Sequence, residues 1–142
     1  MLLTRENSLC EKNQKIVVSR DRGNTREHRA LNPNGSFDLR HYKLDGVLVR
    51  YEKCCDYLLV NDSSKKAYFI ELKGCNVNEA VPQLEAAERK FRDELQEYTT
   101  FFRIIASKSR THEMQKNAFR KFLEKHGSRV LCRTGSFAEN LT

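Results

Sequence analysis

Two apolar runs separated by a short polar turn constrain this chain more than any other stretch. They are Asp56-Tyr57-Leu58-Leu59-Val60 and Ala67-Tyr68-Phe69-Ile70-Glu71-Leu72-Lys73, with Asn61-Asp62-Ser63-Ser64-Lys65-Lys66 between them. β-Branched and aromatic residues bounded by Asn, Asp and Ser read as two strands of an antiparallel hairpin. If the turn sets Asn61 opposite Lys66, Asp56 falls opposite Glu71. Directly opposed residues carry Cβ atoms about 4.5–5.5 Å apart on one face, and Lys73, two residues on, shares that face. A one-residue slip would send Asp56 to the other side, so this arrangement rests on register.

A helix is expected next. Ala80, Leu84, Ala87, Phe91, Leu95 and Tyr98 recur at three- and four-residue spacing, an amphipathic stripe. Asn76 or Asn78 can cap it, and Pro82 requires a start close by. Residues 99–106 read as a strand. Thr111 then caps a second helix with Met114, Ala118 and Phe122 inward and Gly127 at its end, and residues 129–132 form a last short strand. Upstream, residues 41–44 and 46–49 read as one strand, as two halves of a bent one, or as a hairpin about Asp45-Gly46.

Residues 1–40 are less patterned. Residues 15–18 suggest a strand, residues 24–31 a helical turn or two capped by Asn24 or Thr25, and residues 32–36 a turn. The beginning of the chain and about the last six residues are candidates for disorder. The order strand, strand, strand, helix, strand, helix, strand predicts an α/β fold. Its centre is a mixed sheet of about four or five strands flanked by helices. Both faces of the middle strands are apolar, as in a sheet covered on both sides. A chain of 142 residues suits one domain, with its core over residues 42–132.

The formal charge is +7, from 26 Lys and Arg against 19 Asp and Glu, which favours polyanionic partners. Lys116, Arg120 and Lys121 on the second helix form a phosphate-binding footprint if they act together; otherwise they are a solvated face. Five cysteines make no CxxC pair and no zinc spacing with histidine, so packed, reduced thiols are expected. The four histidines lack paired spacing and read as surface or capping residues. No apolar run reaches the roughly 20 residues of a membrane helix. The first six residues turn polar too early for a secretory signal, so a cytoplasmic protein is expected.

Two neighbouring carboxylates repel unless a proton or a divalent cation lies between them. Asp56, Glu71 and the Leu72 carbonyl make a hard oxygen donor set suited to Mg2+ or Mn2+, with water and substrate phosphate completing it. Lys73 is then placed to orient water or offset developing charge. Gln83, on the edge of the first helical stripe, can hold a water, a nucleobase or a phosphate. Its plainer use is a bond to a loop carbonyl. The plainer reading of Glu71 and Lys73 is a surface pair on an edge strand, worth at most about 1 kcal/mol.

Asp56, the run Tyr68-Phe69-Ile70, the triplet Glu71-Leu72-Lys73 and a following helix with Gln83 resemble the PD-(D/E)XK nuclease superfamily, which includes restriction endonucleases, Holliday-junction resolvases and exonuclease domains. The resemblance spans about residues 42–105. It implies a restriction-endonuclease-like core, Asp56 and Glu71 as metal ligands, Lys73 as catalytic lysine and Gln83 in support. The implied activity is metal-dependent hydrolysis of phosphodiester bonds in DNA. Homodimerisation would supply one site per strand. Cys55 stands where the family has proline. For the extra acid that many members carry before the first strand, Glu27 and Asp45 are the candidates. A catalytically silent nucleic-acid-binding module, or an accessory or inhibitor subunit of a defence complex, are the other expectations.

Overall fold

The computed structural model describes residues 1–21, 23, 25–73, 77–107 and 117–142, with Lys73 described by its backbone alone. Over these the chain runs β1 (Ile16–Arg20), β2 (Glu27–Leu31), β3 (Leu39–Lys43), β4 (Tyr57–Asn61), β5 (Lys66–Lys73), α1 (Val77–Lys90), β6 (Thr99–Ala106), α2 (Asn117–His126), β7 (Val130–Thr134) and β8 (Ser136–Asn140). Strands β3-β4-β5-β6-β7 form a five-stranded sheet and β1-β2-β8 a three-stranded one.

In the larger sheet β3, β4 and β5 are successively antiparallel, whereas β6 and β7 lie parallel to β5. The β4–β5 register is the one the turn predicts, with Asn61 opposite Lys66 and Tyr57 opposite Ile70. Asn61 Oδ1 accepts the Ser63 and Ser64 amides at 3.1 and 3.3 Å, and Lys65 closes the turn at φ +57°.

Period-two alternation sorts the central side chains between two cores. Leu58, Val60, Ala67, Phe69, Phe102 and Ile104 face the layer containing Ala80, Leu84, Ala87, Phe119 and Phe122 of the helices. Tyr57, Leu59, Tyr68, Ile70, Leu72 and Ile105 pack with Val17 and Ala30 of the smaller sheet and with Leu141. The expected mixed α/β sheet is therefore present, but among the described residues helices cover one face. The other is covered by strands.

That second sheet accounts for most departures from expectation. Glu27–Leu31 is a strand, not a helical turn, because β1 and β8 supply its ladder partners on both sides. The C-terminal segment expected to be disordered is β8, parallel to β2. Nearer the helices, α1 ends at Lys90 and turns carry the chain onward; Phe91 and Leu95 remain buried. In α2 the buried residues are Phe119, Phe122 and His126. Ala118 is exposed, and Met114 lies outside the described residues. The segment after Lys43 is a tight turn at Asp45-Gly46, with Gly46 at φ +79°, rather than more strand.

Three histidines expected at the surface are buried, and His112 lies outside the described residues. His126 packs on Phe102 and Phe122. His41 bonds Ser19 Oγ at 2.9 Å and stacks on Tyr57; burial lowers its pKa to about 4. His28 Nε2 meets Glu139 at 2.6 Å, and Glu139 also takes a two-pronged pair from Arg103 at 2.7 and 2.9 Å. This cluster ties β8 and β2 to β6.

Burial raises the Glu139 pKa, but the bonds from His28 and Arg103 overcome it and hold the carboxyl near 2. Since the folded pKa lies below the ordinary 4.5, the stabilisation is complete above pH 4.5 and is lost as pH falls toward 2. Glu139→Gln is expected to lower stability by about 2 kcal/mol at neutral pH. In urea titrations its deficit against wild type should shrink steadily below pH 4.5.

Candidate functional site

Beyond their last paired rung, β4 and β5 continue in the same register, and Asp56 meets Glu71. The contact is reciprocal. The Asp56 amide donates to Glu71 Oε1 at 3.1 Å, and the Leu72 amide donates to Asp56 Oδ2 at 2.8 Å. Each carboxylate thus satisfies a backbone N–H on the other strand, and these two bonds hold the acids together.

β3 frames the other side. Leu44 and Asp45 donate their amides to the Asp56 and Cys55 carbonyls at 2.8 and 3.2 Å. Lys43 Nζ lies 3.5 Å from Asp56 Oδ1 and 5.0 Å from the centre of the Tyr57 ring. Glu71 is only 6% exposed and belongs to the central strand, which rules out the edge-strand surface pair. Cys55, fully buried behind the acids, has its thiol pKa pushed well up by burial first. The neighbouring Cys54 and the charges of Glu71 and Asp56 add to that rise.

A further acid reaches this corner from β1. The Tyr57 hydroxyl donates to the Arg20 carbonyl at 2.8 Å and so fixes the end of β1 over β4. The next residue, Asp21, has its pKa raised by burial and then by the charge of Asp56, with Lys43 and Arg26 opposing and Asp45 adding to the rise. Asp21 and Lys43 are the residues sequence reasoning missed. No local pattern marks them, because only the packing of β1 on β4 brings Asp21 near.

The two acids expected to help stand differently. Glu27 is held in the small sheet by Arg29 at 2.9 Å, Ser136 at 3.0 Å and Arg20 at 3.4 Å, and these bonds, led by Arg29, lower its pKa. Its carboxylate is engaged by these partners within the small sheet. Asp45 is exposed on the turn after β3 and acts on Asp21 through charge alone.

Gln83 is half-buried on α1, beside the buried Ala80 and Ala87. Leu72 packs its side chain into the core shared with the small sheet, while its amide is held by Asp56. Arg120 and Lys121 are exposed on α2. Lys116 and the Lys73 side chain lie outside the described residues.

Among the described residues no three His, Cys, Asp or Glu side chains gather closely enough to hold a metal by themselves. Two adjoining carboxylates and the Leu72 carbonyl suit a hard cation that draws its remaining ligands from water and substrate phosphate, as Mg2+ commonly does. Structural zinc sites draw chiefly on nitrogen and sulfur donors, whereas the donors this corner offers are oxygens. No family model, curated protein or solved structure matches this chain.

Because each carboxylate is an acceptor for a backbone amide, truncation and isosteric change separate. Asp56→Ala or Glu71→Ala is expected to cost about 1–3 kcal/mol by orphaning an N–H. Asp56→Asn and Glu71→Gln keep an oxygen in place and should stay within about 1 kcal/mol of wild type, as read by urea denaturation.

Proposed function

We propose that the protein is a metal-dependent nuclease that hydrolyses phosphodiester bonds in DNA. The observation that carries this reading is the interlocked pair Asp56 and Glu71 at the end of the β4–β5 ladder. The antiparallel β3-β4-β5 meander followed by α1 and parallel β6 supports a restriction-endonuclease-like assignment. The excess of 26 basic over 19 acidic residues suits a polyanionic substrate.

Asp56, Glu71 and the Leu72 carbonyl would hold Mg2+ or Mn2+, which supplies Lewis acidity toward a phosphate oxygen when bound. The two acids are held in place by the backbone before any cation arrives, so little reorganisation accompanies binding. Lys43 neutralises part of their charge in the resting protein and can release Asp56 Oδ1 by a side-chain rotation. Lys73, following Glu71 by two residues, is the lysine assigned to water orientation and to the charge that builds on the phosphoryl oxygens. Gln83, half-buried midway along α1, is assigned to support substrate or water. Arg120 and Lys121 of α2, with Lys116, supply contacts to the phosphate backbone.

The Lys43–Asp56 ion pair at 3.5 Å favours one competing reading, a silent module in which lysine occupies the cation's place and the fold only grips nucleic acid.

The two readings separate on Mg2+-dependent cleavage of plasmid and oligonucleotide DNA. The nuclease reading expects cleavage by wild type, with Asp56→Asn, Glu71→Gln and Lys73→Met each reduced by about 10²-fold or more while DNA affinity is retained. Binding without cleavage in Mg2+ or Mn2+ would favour the silent module. Arg120→Gln and Lys121→Gln should each flatten the salt dependence of binding by about one unit of slope.

A further inference from the structure

The loop that enters the acid site carries an unexplained aromatic residue. Between β3 and β4, Tyr51 is fully exposed and sits at φ +63°. Left-handed backbone is unfavourable for any residue with a Cβ, and it persists only where the surroundings enforce it. Here they do. The Gly46 amide donates to the Val49 carbonyl, the Val49 amide donates to the Leu44 carbonyl, and Arg50 Nε donates to the Val47 carbonyl at 3.3 Å. Buried Cys54 and Cys55 anchor the far side, and Glu52 pairs with Lys90 of α1 at 3.0 Å. The ring thus stands in solvent on a loop tied down on both sides, with its face open to a stacking partner.

What lies beside the arm indicates the occupant. Glu52, Lys53, Ala86, Arg89 and Lys90 line an open groove of about 430 Å³ between the loop and α1. Three of those five side chains are cationic, and Glu52 already engages Lys90. Among the described residues no hydrogen bond or ion pair occupies Lys53 or Arg89. A cationic groove next to an exposed ring is the combination that binds a single strand: phosphates track the charges and a base stacks on the aromatic face. Paired bases are already stacked on one another, so a protruding ring has nothing to receive in an intact duplex. Tyr51 and Asp56 are five positions apart, so their Cα atoms lie within about 18 Å even along fully extended chain.

We propose that Tyr51 and the Lys53–Arg89 groove bind an unpaired nucleic-acid strand. Resting on the nuclease reading, this makes the substrate one that carries a single-stranded segment next to the phosphodiester to be cut.

The test is fluorescence anisotropy with labelled oligothymidine, alone and as a duplex with oligoadenosine, in EDTA so that catalysis plays no part. Tyr51→Ala should weaken single-strand binding roughly 5- to 100-fold, Tyr51→Trp should retain it, and duplex affinity should change less than about twofold. The Lys53→Gln, Arg89→Gln double variant should lower the salt slope by about one to two units. Unchanged single-strand affinity in Tyr51→Ala, an equal loss on duplex, or no strand binding by wild type would each overturn the proposal. Mg2+-dependent cleavage by wild type alongside any of those results leaves the nuclease reading standing, so the two fail separately.

Discussion

The turn joining β4 to β5 decides which side of the sheet every neighbouring side chain occupies. Asn61 binds the two serine amides of the loop and Lys65 takes the left-handed conformation, so Asn61 pairs with Lys66 and not with a residue one step away. From that single pairing Leu58 and Phe69 go to the helical core, Tyr57 and Ile70 to the core shared with the smaller sheet, and Asp56 arrives against Glu71. A slip of one residue would exchange these sets and place charge in an apolar core. The apolar cores and the acid pair thus enforce the same register, and neither arrangement can form without the other.

The acid pair then has a stability role whatever else it does. Its oxygens accept backbone amides where the regular ladder stops, and Lys43 offsets part of the charge. Such a site is built before a ligand arrives. On the opposite face, Arg103, Glu139 and His28 perform the same service for β8, tying the chain end to the central sheet through paired charges.

The hairpin, its register, β6 and the inward stripe Ala80, Leu84 and Ala87 of α1 were legible in the sequence because each depends on nearby residues: a turn, a run of alternating apolar side chains, a stripe at helical spacing. The start of α1 was not, since Pro82 lies inside Val77–Lys90 and not at its first turn. The smaller sheet was not. Glu27-His28-Arg29-Ala30-Leu31 alternates charge with apolar character too briefly to distinguish a strand from a helical turn. Its strand identity comes from partners in β1 and in β8, more than a hundred positions away for Ser136. For the same reason the buried histidines read as surface residues: Ser19, Glu139 and Phe102, which bury or bond them, are distant in sequence. The Asp56–Glu71 pair was local and foreseeable. Asp21, delivered by the packing of β1 on β4, was not, and Glu27 proved to be committed to Arg29 and Ser136.

The most direct measurement of the central claim is anomalous diffraction from a crystal soaked in Mn2+. The account predicts a peak between the Asp56 and Glu71 carboxylates, within about 2.0–2.6 Å of an oxygen from each, with Lys43 turned away from Asp56. A crystal that takes up no Mn2+ there, with Lys43 still bound to Asp56, would contradict it and leave the acid pair a structural closure of the β4–β5 ladder.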